Sequence, residues 1–301
     1  MPAKVILNPY AGRWTALKRK DEVEAALKSA GIQYEMVVTE GPNHGTQLAD
    51  EALQQGFSPI ISAGGDGSIS EVINGMMQAC EGRSCDVPFG ILPLGSANDL
   101  VDNLNLPRDL HASARLISAG RTRRMDLCQV NGRYFDNNAA IGLEPFITLI
   151  QQKINRLHGS LRYLVATLRG VLANPQWTMM LEWEGGNFHG PVTLVTVGNN
   201  PRTGGLFYMT PHANPYDGLL TFVYGFMPTR LQIFRLLPRT MKPCEGSYIE
   251  HPDIHEVNSP WLRVHADQQT PMHADGEIQS TAIQDLEYRA LPGMLPVLVN
   301  E

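Results

Sequence analysis

The run Ile60-Ile61-Ser62-Ala63-Gly64-Gly65-Asp66-Gly67-Ser68-Ile69-Ser70-Glu71 confines this chain to a small set of folds. A short apolar stretch leads into it, as a buried strand would. Beyond it, Ile69, Val72, Ile73, Met76 and Met77 recur at helical spacing. Three glycines and one aspartate lie between, so the pattern is strand, glycine turn, helix N-terminus. Ser68 is placed to cap the helix, and Glu71 three residues on to close a capping box. Gly65 and Gly67 would let a backbone approach a ligand closely and take positive φ. Free N–H groups and the positive end of the helix dipole make such a point suited to phosphate. The carboxylate of Asp66 would repel phosphate unless a cation stood between them, which suggests Mg²⁺. The plain alternative is a structural turn.

Two better-known phosphate loops are excluded. No Gly-x-x-x-x-Gly-Lys-Ser/Thr occurs anywhere. A Rossmann Gly-x-Gly-x-x-Gly would need glycine at 70, where the chain has Ser70. Strands are expected at 4–7, 34–39, 59–63 and 87–92, with helices over 17–30 and 46–55 between them. That alternation implies a mostly parallel sheet with helices on both faces. Ligands of such sheets bind beyond the carboxyl ends of the strands. Asn8 to Gly12, Thr39, Gly65 to Glu71 and Gly95 to Asp99 all fall at those ends. Asn98 or Asp99 also suits a plain helix cap.

From about Arg123 the chain turns to strands. Hairpins are expected around Asn131-Gly132 and around Gly185-Gly186-Asn187, with further strands at 206–210, 219–224, 261–266 and 270–277. Many strands with few helices suggest an antiparallel β-sandwich. The expected fold is therefore an α/β domain over residues 1–124 followed by a β-sandwich domain over 125–290. One helix interrupts the strands. Phe146, Ile147, Ile150, Ile154, Leu157, Leu161, Leu164, Val165, Leu168 and Leu172 form a broad apolar stripe, with Lys153, Arg156, Arg162 and Arg169 among or opposite them. Gly159-Ser160 is a candidate break. Such a helix either covers the β domain or lies on an anionic membrane surface. Arg121-Thr122-Arg123-Arg124 reads as a solvated basic turn.

Length and composition bound the function classes. At 301 residues, with 43% hydrophobic and 18% charged side chains, this is an ordinary two-domain globular chain. A net charge of −6 gives no sign of broad nucleic-acid binding. Cys80, Cys85, Cys128 and Cys244 have neither zinc spacing nor a disulfide framework, and fit a reducing, cytoplasmic setting. The N-terminus lacks a signal-peptide layout, and no stretch approaches the roughly 20 apolar residues needed to span a bilayer. Two histidines, in His265-Ala266-Asp267 and His273-Ala274-Asp275, read as structural rather than as metal ligands. No Gly-x-Ser-x-Gly or His-Glu-x-x-His supports a hydrolase or zinc protease.

Gly64-Gly65-Asp66-Gly67-Ser68, with Glu71 and Asn74-Gly75 downstream, resembles the signature of the diacylglycerol kinase catalytic domain. That superfamily includes sphingosine kinases, bacterial soluble lipid kinases and, more distantly, NAD kinases. Leu92-Pro93-Leu94-Gly95-Ser96-Ala97-Asn98-Asp99-Leu100 is similar to the family's Pro-x-Gly-Thr-x-Asn-Asp segment. Ser68 and Ser96 replace the family's threonines and keep the hydroxyl.

The resemblance implies that ATP contacts Asn8, Pro9, Tyr10, Ala11, Gly12, Thr39, Gly65, Asp66, Gly67, Ser68, Ile69, Ser70, Glu71 and Ser96. It also implies that residues 291–301 return to the first domain. Asp217-Gly218-Leu219, otherwise a hairpin turn, looks like the family's structural Mg²⁺ site, with Asn214, Asp217 and Leu219 as candidates. Asp275-Gly276-Glu277, otherwise a polar turn, is similar to the family's catalytic motif. Either Glu277 or Asp275 would accept the proton of the attacking hydroxyl, with Glu277 preferred, and Asp66 would assist at the triphosphate.

The implied activity is ATP- and Mg²⁺-dependent phosphorylation of a diacylglycerol-like or sphingoid-like lipid, by peripheral contact with a membrane surface. Competing readings are a kinase of a soluble alcohol and a non-catalytic nucleotide-binding regulator. Homodimerisation stays open.

Overall fold

Residues 1–154 and 159–300 are described in the computed structural model of the chain. They fall into two units, Met1–Leu127 with Leu291–Glu301, and Cys128–Ala290. In the first unit the strands Ala3–Leu7, Tyr34–Val38, Ile60–Gly64 and Phe89–Pro93 alternate with the helices Lys20–Ser29, His44–Gln54 and Asp66–Ala79. The strands are parallel, in the order Tyr34–Val38, Ala3–Leu7, Ile60–Gly64, Phe89–Pro93. Three of them are buried at every position, as strands covered on both faces must be. The chain's end joins this sheet, with Val297 pairing parallel to Phe89. Leu298 enters the core formed by Leu7, Leu27, Ile61, Leu92 and Ile117.

The basic cluster at 121–124 begins a strand, Thr122–Val130, rather than a solvated turn. The Arg124 guanidinium donates to Asp86, to the Ser84 hydroxyl and to the carbonyls of Cys85 and Gly293. It therefore fastens the returning segment to the loop before Phe89–Pro93.

The second unit is antiparallel. Its strand order runs Ile254–Ser259, Leu220–Gly225, Leu194–Gly198, Asn138–Gly142, Trp261–Ala274, Glu277–Leu298. Strands expected at 261–266 and 270–277 form one long strand, Trp261–Ala274. Its first half pairs with Trp177–Trp183 and its second half with Asn138–Gly142. Register shifts between His265 and His273 bend it, as where one strand serves two sheets of a sandwich. The hairpin at 131–132 forms as expected, with Asn131 and Gly132 both at positive φ. The next hairpin turns one step earlier than expected: Trp183 pairs with Gly186, leaving Glu184-Gly185 as the loop.

Alternation along Leu220–Gly225 sends Leu220, Phe222 and Tyr224 into the sandwich core and Val223 to the opposite face. There Val223 meets helices. The single helix expected over 146–172 is two, Leu143–Gln152 and Gly159–Ala173. The first of them already ends at Gln152, ahead of the expected break at Gly159-Ser160. Arg156 and Leu157 lie outside the described residues. A further helix, Arg230–Leu236, was not expected; Thr229 and Gln232 form a full capping box at its start. Ile147, Ala166, Val171, Ile233 and Leu236 from these helices pack together over Val223 and Tyr248.

Leu298→Ala should cost the first unit about 2–5 kcal/mol, the usual loss for deleting a buried leucine side chain. Urea unfolding of that unit checks it, with Leu92→Ala as the interior reference.

Candidate active site

Four strand ends of the first unit carry the predicted phosphate loops, and side chains tie three of them together. The helix after Ile60–Gly64 starts at Asp66, with Gly65 as its N-cap and no side-chain cap. The capping box between Ser68 and Glu71 does not form. Ser68 lies inside the first turn, and its hydroxyl accepts from Asn8 Nδ2 at 2.8 Å. Asn8 Oδ1 in turn accepts the Tyr10 N–H at 2.9 Å, closing the first loop on itself. Glu71 points the other way. Its two carboxylate oxygens accept the N–H groups of Asn43 (2.8 Å) and Gly45 (2.9 Å), fixing the start of the helix His44–Gln54.

Asp66 is committed to the fourth loop. Its carboxylate accepts the Asn98 N–H at 2.9 Å and the Asp99 N–H at 2.5 Å. These are N-terminal donors of the helix Asp99–Asn103, so Asp66 supplies the cap from outside the helix. Asn98 is its N-cap residue by position, but its side chain donates to the Gly95 carbonyl instead.

The glycines matter for proximity. Gly65 has φ −109° and Gly67 is helical, so neither takes the expected positive φ. A Cβ on Gly95 would lie 2.5 Å from the Gly65 Cα, a distance side chains do not tolerate. The backbones of the two loops therefore touch. Gly12 does need its conformation: φ is +60°, and a Cβ there would meet the Leu94 carbonyl oxygen at 2.5 Å. Arg13 and Trp14 continue the left-handed turn at φ 59° and 70°, a strained choice for side-chain-bearing residues.

Thr39 is buried and anchored through its N–H to the Leu7 carbonyl. Ser96 is exposed at the tip of the fourth loop. Ile69 is turned fully into the core and its N–H donates to the Gly65 carbonyl.

In the second unit, Asp275-Gly276 is the two-residue turn between the strands Trp261–Ala274 and Glu277–Leu298, with φ of 46° and 77°. The pattern is that of a tight hairpin turn. The Asp275 carboxylate is gripped by three consecutive backbone N–H groups, Asp136 (3.4 Å), Asn137 (3.1 Å) and Asn138 (3.3 Å). The Asp275 N–H donates to the Asn138 carbonyl at 2.7 Å. Glu277, first residue of the outgoing strand, is exposed.

The remaining predicted elements are the Asp217 loop and the two histidines. Asp217 is exposed, and its Oδ1 accepts the Leu219 N–H at 3.0 Å in a local turn before Leu220–Gly225. Asn214 is exposed a few residues earlier. The two histidines have carboxylate partners: His265 Nδ1 lies 2.7 Å from Asp285, and buried His273 Nε2 lies 3.0 Å from Glu144. Hydrogen bonding to Asp285 raises the pKa of exposed His265 above its ordinary value.

Sequence reasoning missed Gly95 as the counterpart of Gly65, and Asn138 and Glu144 altogether. An Asn137-Asn138 pair after a hairpin was the only signal for the latter region, and it has no motif attached.

The model of the diacylglycerol kinase catalytic domain matches residues 2–130, and that of the YegS C-terminal NAD kinase beta sandwich-like domain matches residues 137–299. A protein of Escherichia fergusonii named "Probable lipid kinase YegS" is 32% identical over 301 residues, covering 98% of this chain and 95% of its own. A Staphylococcus carnosus protein named "Diacylglycerol kinase" is 26% identical over 279 residues, covering 91% and 88%. A crystal structure of a diacylglycerol kinase from Bacillus anthracis superposes with a TM-score of 0.75 over 99% of this chain and 97% of that one, at 20% identity.

Replacing Asp66 with alanine should destabilise the first unit by about 0.5–2 kcal/mol, the usual worth of a helix cap. Amide exchange at Asn98 and Asp99 should quicken in the same variant, and unaltered exchange there would refute the capping role.

Proposed function

Starting from the fact that this chain belongs to the diacylglycerol kinase and YegS lipid kinase family and is a kinase acting on a lipid alcohol, we propose that it transfers the γ-phosphate of ATP to the hydroxyl of a diacylglycerol-like or sphingoid-like lipid. The observation that carries this reading is the cluster of loops in the first unit. Asn8–Ser68, Gly65–Gly95 and Asp66–Asn98/Asp99 hold the ends of three parallel strands together around an uncapped helix N-terminus. Such an N-terminus attracts phosphate.

Phosphoryl transfer asks little covalent chemistry of the protein. The lipid oxygen attacks the γ-phosphorus, the bond to the β-phosphate oxygen breaks, ADP departs, and the hydroxyl proton goes to a carboxylate. Glu277, exposed at the start of the outgoing strand, is the acceptor in this reading, and Asp275, held by three backbone N–H groups, is the orienting partner. A well-placed base of this kind contributes on the order of 100- to 10,000-fold.

Mg²⁺ fits the donors available. Asp66 offers a half-buried carboxylate at the phosphate loops, and Asp217 with nearby carbonyls offers hard oxygens on a loop. When bound, the ion would neutralise phosphate charge; this chain's own residues bind and orient the nucleotide and take the proton.

A membrane face accompanies the reading. Leu164, Leu168 and Leu172 stand four residues apart on the helix Gly159–Ala173 and are 60%, 45% and 47% exposed. Leu231 and Met241 are exposed in and after the neighbouring helix Arg230–Leu236. Asn174 donates to the Pro228 carbonyl, joining the end of one helix to the start of the other. No acidic residue occurs from 145 to 181 or from 226 to 244, in a chain of net charge −6. Lys153, Arg169, Arg230, Arg235 and Lys242 are exposed there. Apolar side chains among cations suit an anionic lipid surface. Among the described residues no helix is long and apolar enough to cross a membrane.

Incubation with labelled ATP and a total lipid extract should label a lipid. Glu277→Gln and Asp66→Asn should each abolish that labelling, and wild-type turnover in both would remove their roles. Turnover on a soluble alcohol without vesicles would replace the lipid acceptor. Leu164→Asp with Leu168→Asp should release the protein from anionic vesicles in a sedimentation assay.

A further inference from the structure

We propose that Glu144 and the buried His273 form a pair that positions the Asp275-Gly276-Glu277 turn, an inference that rests on the kinase reading above. Glu144 sits in the first turn of the helix Leu143–Gln152. Its Oε1 lies 3.0 Å from Nε2 of His273, which is 2% exposed, and accepts from Asn138 Nδ2 at 3.2 Å. Burial works to raise the Glu144 carboxyl. The contact with His273, with the hydrogen bond from Asn138, outweighs burial and holds it below the usual carboxylate range. Glu144 is therefore an ionised acceptor whose side chain is largely, not fully, withdrawn from solvent.

Asn138 is the node between this carboxylate and the turn. Its carbonyl accepts the Asp275 N–H at 2.7 Å, and its own N–H donates to Asp275 Oδ1 at 3.3 Å. Its side chain is clamped at both ends, with Oδ1 accepting from the Thr203 hydroxyl at 2.9 Å and Nδ2 donating to Glu144. His273 stands two residues before Asp275 on the incoming strand, and its backbone pairs with Ala140. Both supports of the turn, the Asn138 segment and the His273 strand, thus end on one carboxylate oxygen.

Stability alone does not account for this arrangement. Desolvating a carboxylate costs several kcal/mol, and well-packed apolar residues of similar volume would often hold the strands as firmly. What the Glu144–His273 contact adds is a fixed geometry, here two residues from Asp275 and four from Glu277. Glu144 and His273 are positioning residues and have no assigned contact with either substrate.

Glu144→Ala should lower kcat for lipid phosphorylation by about 10- to 100-fold, the scale of a small misplacement of a reacting group, with KM for ATP unchanged. His273→Gln, whose side-chain amide can still donate to Glu144, should keep most of kcat, whereas His273→Leu should lose it. Amide exchange at Asp275 to Glu277 should quicken in Glu144→Ala and His273→Leu and stay slow in His273→Gln. If Glu144→Ala does not fold, Thr203→Val loosens the same node from its exposed side and should give a smaller drop of the same kind. Wild-type kcat and unchanged exchange in the folded variant overturn the pair's role and leave the kinase reading standing. A wild-type protein that phosphorylates no lipid overturns the kinase reading instead, and the exchange measurement alone then decides whether the pair holds the turn.

Discussion

The first unit depends on one carboxylate facing two backbone donors. Asp66 opens one helix and caps another, so the loops after two neighbouring strands cannot move apart without exposing a charge and two N–H groups. Around that bond the other contacts fall into place. Gly65 and Gly95 touch because nothing projects from either. Asn8 reaches Ser68 because the first strand runs beside the third. Glu71, freed from capping its own helix, pins the next one. Asp66, Ser68 and Glu71 each bind a neighbouring loop rather than their own turn.

That economy explains where the sequence was legible and where it misled. Strand and helix positions in the first unit could be read because apolar periodicity is local, and a covered parallel strand must be apolar throughout. Ser68 and Glu71 have the spacing of a capping box, and local spacing is what a sequence displays. Their true partners, Asn8 and Asn43, lie 60 and 28 residues away, and only the fold brings them near. Gly65 likewise reads as a hinge of unusual φ, whereas its role is to make room for Gly95.

The second unit was harder for a different reason. Its long strand Trp261–Ala274 bends across two pairings: side chains alternate from Trp261 to Ala266, whereas Thr270 to Ala274 are buried throughout, so the two halves do not read as one strand. The motif Asp275-Gly276-Glu277 could be picked out by its resemblance to the family's catalytic motif, and Asp-Gly also suits the turn with two positive φ values that it forms. The residues that hold it, Asn138, Glu144 and His273, have no such signature. A polar residue that is buried for its partner looks, in isolation, like any other polar residue.

The final strand has a consequence for how the molecule is made. Glu277–Leu298 begins in one unit, and its last residues lie beside Phe89 in the other. The sheet that begins with residues 3–7 therefore waits for residues 291–298 to be complete. During synthesis the amino-terminal half leaves the ribosome with an open sheet edge and a core missing Leu298. It has to keep that edge from strangers until residues 291–298 have been made.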